Sequence, residues 1–200
     1  VFWILPVLFS TALSFTKWDM ISPTIKWVGL KNYRRLFKDT AFIMALKNTS
    51  IYALFSVLAL TILGFLTASA LNREIRGLRF IRTLMIFPYA TSMTAVSMIW
   101  LMLLDPSTGL INKALRLMGL SGVDWLFTVR TALGCLIFVN IWKNIGYCML
   151  IFLAGMQSVP VEIYEAATVD GASEGQKLVH VTAPMVRPVT FFVSITTLLE

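Results

Sequence analysis

The fold of this chain follows from residues 48–72, which read NTSIYALFSVLALTILGFLTASALN. The segment contains no charged side chain over its 25 positions, which as an α-helix would measure about 37 Å. A helix needs about 20 mostly apolar residues to cross the hydrocarbon core of a bilayer, which is about 30 Å thick. We therefore predict that residues 48–72 form a membrane-spanning helix.

The composition of the whole chain is also typical of a membrane protein. Of its 200 residues, 58% are hydrophobic and only 14% are charged, whereas soluble chains contain about 25% charged residues. The net charge of +7 comes from short basic clusters between apolar runs. Because these clusters form no single basic face, the charge does not indicate a nucleic-acid partner.

Further apolar runs predict an all-α, polytopic transmembrane helical bundle with about five spans. Residues 83–104 carry no charge, and residues 131–157 carry only Lys143, near the middle of the run. A transmembrane β-barrel would instead show short segments of alternating hydrophobicity. The runs at residues 1–16 and 188–200 are predicted to be partial spans, so that the sequence is expected to be truncated at both ends.

The basic residues of the loops leave the sidedness of the bundle open. If the connections 72–82 and 158–187 face the cytoplasm, they carry six Lys and Arg residues against ten on the opposite side, which is contrary to the positive-inside rule. One dense cluster within 72–82 is nevertheless typical of a cytoplasmic loop. Its members are Arg73, Arg76, Arg79 and Arg82.

The connection 158–187 predicts two short helices separated by a turn. Pro160 suits the first turn of a helix, and Gly171 can adopt the left-handed conformation that ends one. Ser173 and Gln176 have the spacing of a capping box, in which each side chain bonds a free backbone N–H at the start of a helix. We therefore expect a second helix to begin after Ser173.

The same connection resembles the EAA loop of the membrane subunits of ATP-binding-cassette importers. The match consists of Glu165-Ala166-Ala167, then Asp170-Gly171-Ala172, and a proline at Pro184. Shorter stretches extend the resemblance over essentially the whole chain and to the sugar-importer branch, which includes maltose and glycerol-3-phosphate permeases. These stretches are residues 28–33, 79–84, 87–89 and 109–112.

The resemblance implies that residues 158–187 are cytoplasmic and dock into a groove of an ATPase subunit. Small side chains would permit close docking, and Glu165 would make a polar or charged contact. The residues expected to couple to the ATPase are Glu165, Ala166, Ala167, Asp170, Gly171 and Ala172. The alternatives are an ordinary amphipathic connector and, for Glu165 alone, a surface carboxylate that favours the helix dipole.

A second candidate site lies on one face of the predicted helix 131–157. Four polar side chains share this face because they are spaced i, i+3, i+4 and i+7, and lipid cannot satisfy their hydrogen bonds. They are Asn140, Lys143, Asn144 and Tyr147. Amides and an aromatic ring suit a sugar, and the resemblance to the maltose permease implies that these positions bind substrate.

The face also departs from that permease, and it allows another interpretation. The relative carries an apolar residue and a glycine where this chain has Lys143 and Asn144, which predicts a different or anionic sugar. The alternative is polar packing against a neighbouring helix, or pairing of Lys143 with an acid of a partner subunit.

Together these patterns predict a permease subunit of an ATP-binding-cassette importer for a sugar or oligosaccharide, forming one transmembrane permease domain over residues 1–200. The resemblance implies a location in the bacterial inner membrane and four kinds of protein or solute partner besides lipid. These are a second permease subunit in a heterodimer, two cytoplasmic ATPase subunits, an extracytoplasmic solute-binding protein and the sugar.

The chain is not expected to be an enzyme or to hold a cofactor or metal. It has no Gly-x-x-x-x-Gly-Lys-[Ser/Thr] loop, so ATP would bind to the partner subunits. Its one histidine, His180, is not part of a His-Glu-x-x-His motif. The alternatives are an importer for glycerol 3-phosphate, phosphate or an amino acid and, more distantly, a membrane-embedded enzyme.

Overall fold

A computed structural model of the chain describes residues 2, 4–18, 21, 24–72 and 77–199. These residues are mostly helical, which confirms the predicted all-α class. The chain divides into two compact units, Val1–Ile51 and Tyr52–Glu200. Arg73 and Arg76 of the basic cluster lie outside the described residues. The expectation of one permease domain over residues 1–200 stays a prediction.

The first unit contains short elements that are joined by side-chain contacts, among them those of Asn32. They are α1 (Ile4–Ser14), the antiparallel strands β1 (Thr16–Lys17) and β2 (Lys26–Trp27), and α2 (Lys31–Leu36). The amide nitrogen of Asn32 donates to the carbonyls of Ser14 and Thr16, at 2.9 and 2.8 Å. Gly29, two residues before the start of α2, has a φ of +57°. Glycine adopts this conformation without strain.

The first long helix, α3 (Thr40–Leu71), begins eight positions earlier than the predicted span 48–72. Its start is set by Asp39, whose carboxylate accepts the N–H groups of Ala41 and Phe42 at 2.9 and 3.4 Å. A carboxylate at this position satisfies backbone donors that the first helical turn leaves free. The helix therefore extends beyond the charge-free run 48–72 and includes Lys47.

The second unit contains the remaining helices. They are α4 (Leu78–Ala90), α5 (Met93–Leu103), α6 (Leu110–Leu117), α7 (Val129–Gln157), α8 (Val161–Val169), α9 (Glu174–Lys177), a π-helical turn (Leu178–Thr182), α10 (Ala183–Met185) and α11 (Arg187–Leu199). Among the described residues, α3 and α7 are long and apolar enough to cross a membrane. The number rises to four if each of two bent helix pairs is one span.

Helices α3 and α7 pack through residues spaced four apart, which places them on one stripe of each helix. Gly64 and Ala68 of α3 are buried, as are Cys148, Phe152 and Met156 of α7. A Cβ atom added at Gly64 would lie 2.8 Å from the Cβ of Cys148. In a bilayer such small residues stabilise a helix pair because they let the two backbones come close enough for tight packing.

Helix α4 crosses α7 at Gly146. A Cβ atom there would lie 2.9 Å from the Cα of Ile86 and closer still to the carbonyl group of Met85. The two backbones are therefore in direct contact at this point. At the other end of α4, the Arg82 guanidinium donates to the carbonyl of Leu71 at the end of α3.

The predicted helix 83–104 is not continuous. Helix α4 ends at Ala90, α5 begins at Met93, and their axes differ by 95°. Pro88 lies three residues before the break; it lacks an N–H donor, and its ring conflicts with the preceding helical turn. The prediction of one uninterrupted helix was therefore wrong, and the two pieces qualify as a membrane span only together.

The connection between α5 and α7 is organised by two polar side chains. The buried Asn112 accepts the backbone N–H of Val123 at 2.9 Å and the indole N–H of Trp125 at 3.1 Å. Asp105 Oδ1 accepts the backbone N–H of Thr108, with further bonds from that residue's hydroxyl and from Ser107. These donors hold the pKa of Asp105 well below its usual range.

Candidate functional site

The two asparagines of the predicted polar face of α7 are bonded to each other. The amide nitrogen of Asn144 donates to Oδ1 of Asn140 at 2.6 Å. Asn144 is buried, and Asn140 is half-buried one turn earlier. Within the described parts of the chain, the NH₂ group of Asn140 makes no hydrogen bond, so it can donate to a further acceptor.

Lys143 is bonded to the break between α4 and α5. Its Nζ atom lies 3.3 Å from the carbonyl oxygen of Pro88, 3.0 Å from that of Tyr89 and 3.1 Å from that of Thr91. An ammonium group has three N–H donors and no acceptor. Three backbone carbonyls therefore already accept from its ammonium group. The predicted contact of Lys143 with a solute stays a prediction.

Tyr147 lies against an aromatic ring that sequence reasoning did not select. Its ring stacks on that of Tyr89, with centroids 4.7 Å apart and planes 14° from parallel. Nζ of Lys143 lies 5.6 Å from the centroid of the Tyr89 ring, within the range of a cation–π contact. The signal that could have found Tyr89 is its place after Pro88, in the middle of an apolar run.

The predicted coupling segment has the local structure that its sequence indicates. Helix α8 carries Glu165 and Ala166 on its exposed surface, whereas Ala167 is half-buried. Asp170 is the C-terminal cap of the helix, and Gly171 has a φ of +79°. The half-buried Ala172 and the cap residue of α9 follow, so these six residues surround one turn.

The two arms of this coupling segment, α8 and the helical stretch from α9 to α10, are held together by contacts that sequence reasoning missed. The hydroxyl groups of Tyr164, on α8, and Thr182, in the π-helical turn, lie 3.1 Å apart. Tyr164 also packs against the buried core that contains Met156 and Val159, at the end of α7. Tyr164 thus contacts both the π-helical turn and the buried core at the end of α7.

The start of α9 confirms the predicted capping box. Ser173 Oγ accepts the backbone N–H of Gln176 at 3.4 Å, and the side chain of Gln176 accepts the N–H of Ser173 at 2.8 Å. The surrounding residues 171–175 also match the pattern Gly-x-Ser-x-Gly of hydrolases. That pattern marks a nucleophile on a strand-to-helix turn, whereas Ser173 follows a helix and caps the next one.

Comparison with known protein families identifies the larger part of the chain. Residues 60–200 match the family described as "Binding-protein-dependent transport system inner membrane component". This range contains both candidate sites, the polar face of α7 and the coupling segment.

Individual relatives resemble nearly the whole chain. It is 33% identical over 198 residues to the probable ABC transporter permease protein YurN of Bacillus subtilis, covering 97% of this chain and 68% of the relative. It is 34% identical to the diacetylchitobiose uptake system permease protein NgcF of Streptomyces coelicolor, covering 86% and 52%. It is 33% identical to the trehalose/maltose transport system permease protein MalF of Thermococcus litoralis, covering 94% and 64%. The chain thus spans between about half and about two thirds of the length of these curated relatives.

Two solved structures share the fold. One is a bacterial ABC transporter involved in the import of the acidic polysaccharide alginate, with a TM-score of 0.82 and 28% identity, covering 98% of this chain and 68% of that chain. The other is a bacterial alginate ABC transporter in complex with an alginate pentasaccharide-bound periplasmic protein, with a TM-score of 0.77 and 29% identity, covering 84% and 59%. With the family match over residues 60–200, these likenesses show that the chain belongs to the binding-protein-dependent transport system inner membrane components.

Proposed function

We propose that this chain is a permease subunit of an ATP-binding-cassette importer for a sugar or oligosaccharide. It would form half of the translocation pathway as a multi-pass protein of the bacterial inner membrane. The observation that carries the proposal is that one helix, α7, contains the polar face and leads directly into the coupling segment. The distance from Asn140 to Gln157 along this helix is about 25 Å.

The coupling segment would receive the energy of ATP hydrolysis from partner subunits. Because the chain has no phosphate-binding loop of the Walker type, the energy of ATP must arrive through partner subunits. We infer that one of two cytoplasmic ATPase subunits binds the exposed side of α8 and that closure of the two ATPases moves α7. A second permease subunit would complete the pathway, and an extracytoplasmic binding protein would deliver the solute.

The chemistry of the polar face supports a carbohydrate as the solute. The free NH₂ group of Asn140 can donate to a hydroxyl group, and the stacked rings of Tyr89 and Tyr147 offer an apolar surface for a sugar ring. Relatives named for diacetylchitobiose, arabinooligosaccharides and trehalose or maltose support this class. A relative named for sn-glycerol 3-phosphate keeps that solute as the second candidate.

The substrate class can be tested by uptake into proteoliposomes that contain the assembled transporter and its binding protein. We expect uptake of a radiolabelled sugar or oligosaccharide from a panel that also contains glycerol 3-phosphate, phosphate and amino acids. Transport that requires ATP but accepts only phosphate or an amino acid would contradict the proposed substrate class. A transporter without the ATPase subunits is the control and should show no accumulation.

Removing the polar groups of α7 should weaken solute binding without unfolding the chain. We expect Asn140→Ala and Tyr147→Ala each to raise the solute concentration for half-maximal ATPase stimulation roughly fivefold, since a lost hydrogen bond or ring contact is worth about 1 kcal/mol. Leu136→Ala, at an exposed position of the same helix, is the matched control. A lower unfolding temperature with an unchanged half-maximal concentration would favour polar packing instead.

Cysteine labelling tests which side of the membrane the coupling segment faces. Helix α7 contains 29 residues, about 43 Å of helix, and separates the connection that holds α6 from the coupling segment. In a chain with Cys135 and Cys148 replaced by alanine, Ser173→Cys should react only with reagents that reach the cytoplasm. Lys113→Cys, an exposed position on α6, should react from outside, and the reverse result would invert the topology.

A further inference from the structure

Lys143 occupies a position that is costly for a charge. It lies 14 residues into the 29-residue helix α7, where a lysine opposes membrane insertion by about 3 kcal/mol. Among the described residues, no carboxylate lies within ion-pair distance of its ammonium group. The ammonium group must therefore be stabilised by something other than an acidic side chain.

The end of α4 supplies that stabilisation. The last carbonyl groups of a helix have no partner within it, and in the bilayer core no water is present to bond them. The C-terminus of a helix also carries a partial negative charge. The Pro88 carbonyl accepts the backbone N–H of Thr91 at 3.2 Å. Lys143 adds a charged donor to this carbonyl and to those of Tyr89 and Thr91, since its Nζ atom lies within 3.3 Å of all three.

The same lysine also fixes an aromatic side chain. It bonds the Tyr89 carbonyl and lies over the Tyr89 ring, which in turn stacks on Tyr147, one turn further along α7. Gly146, between these two α7 residues, brings the α4 backbone close enough for both contacts. Three residues of α7 thus contact the end of α4. Lys143 contacts it through its ammonium group, Gly146 through close backbone packing, and Tyr147 through its ring.

We propose that Lys143 is a positioning residue, which holds the break between α4 and α5 and thereby places the Tyr89 ring against Tyr147. In this role its charge replaces water at three backbone carbonyls of a broken span. The proposal concerns the geometry of the span and is independent of the solute. Only the use of the Tyr89 ring as part of a sugar site rests on the proposed function.

The proposal can be tested by measuring the angle of the break without any transport assay. Spin labels at Ile81→Cys and Met98→Cys, both exposed, report the distance between α4 and α5 in the assembled transporter in nanodiscs, with the native cysteines replaced by alanine. Lys143→Met should broaden or shift the distance distribution by about 5 Å, one turn of helix. An unchanged narrow distribution would overturn the proposal.

Three further variants separate this role from a general structural one. Lys143→Arg keeps a charged donor and should restore the narrow distribution, whereas Lys113→Met, a matched loss of charge on α6, should leave it unchanged. Lys143→Gln keeps two N–H donors without the charge and should also broaden the distance distribution. It replaces Lys143→Met in the test if that variant assembles poorly. A narrow distribution in Lys143→Gln, or a broad one in Lys143→Arg, would contradict the proposal. Since no solute is involved, this outcome is separate from the failure of the uptake test.

Discussion

Gly146→Ala is expected to destabilise the folded chain by about 3 kcal/mol, the upper part of the range for overpacked sites. The added methyl group would overlap the Met85 carbonyl and lie 2.9 Å from the Cα of Ile86. These are backbone atoms, so no side-chain rotation can relieve the contact. Helices α4 and α7 would have to separate. Thermal unfolding of the purified transporter in detergent should show the loss as a fall of roughly 10 °C.

Gly134→Ala provides a matched control for this prediction. Gly134 lies on the same helix, and a Cβ atom there would meet nothing within 4 Å. Because alanine favours a helix over glycine by about 1 kcal/mol, this variant should unfold at the same or a slightly higher temperature. Equal unfolding temperatures for Gly146→Ala and the unmodified chain would contradict the close crossing of α4 and α7.

The features that could be predicted from the sequence are those with a local chemical signal. The apolar run 131–157 predicts α7, which the structure places at Val129–Gln157. The turn at Gly171 and the capping box of Ser173 and Gln176 were also predicted correctly. Each depends on residues a few positions apart, so the sequence contains the whole interaction.

The break in the second span could not be predicted from Pro88 alone, because the group that bonds the freed carbonyls is not local. Residues 83–104 have no charge to mark an interruption, and membrane helices often contain proline, since neighbouring groups satisfy the backbone that it frees. Here the neighbour is Lys143, more than fifty positions later in the chain. A backbone carbonyl has no residue type, so no complementary side chain in the sequence reveals this pairing.

Glu165→Lys is expected to abolish solute uptake while leaving the chain folded in the membrane. Glu165 is exposed on α8, so its side chain is available to an ATPase subunit under the proposed function. The neighbouring Tyr164 keeps α8 attached to Thr182 and the core, and the substitution leaves those contacts intact. Reversing a charge at a docked interface costs about 3 kcal/mol or more, which corresponds to at least a roughly 100-fold loss of uptake.

The measurement is solute uptake into proteoliposomes, compared with the amount of chain and of ATPase subunit that remain assembled. Glu162→Lys makes the same charge change in the first turn of the same helix, where it removes only a dipole contribution of about 0.3–1 kcal/mol. It should therefore retain most of the uptake. Full transport by Glu165→Lys would show that this side chain makes no essential contact with the ATPase. Equal losses of uptake in Glu165→Lys and Glu162→Lys would show that the overall charge of α8 matters. A specific docking contact of Glu165 would instead make its variant lose much more uptake than the Glu162 variant.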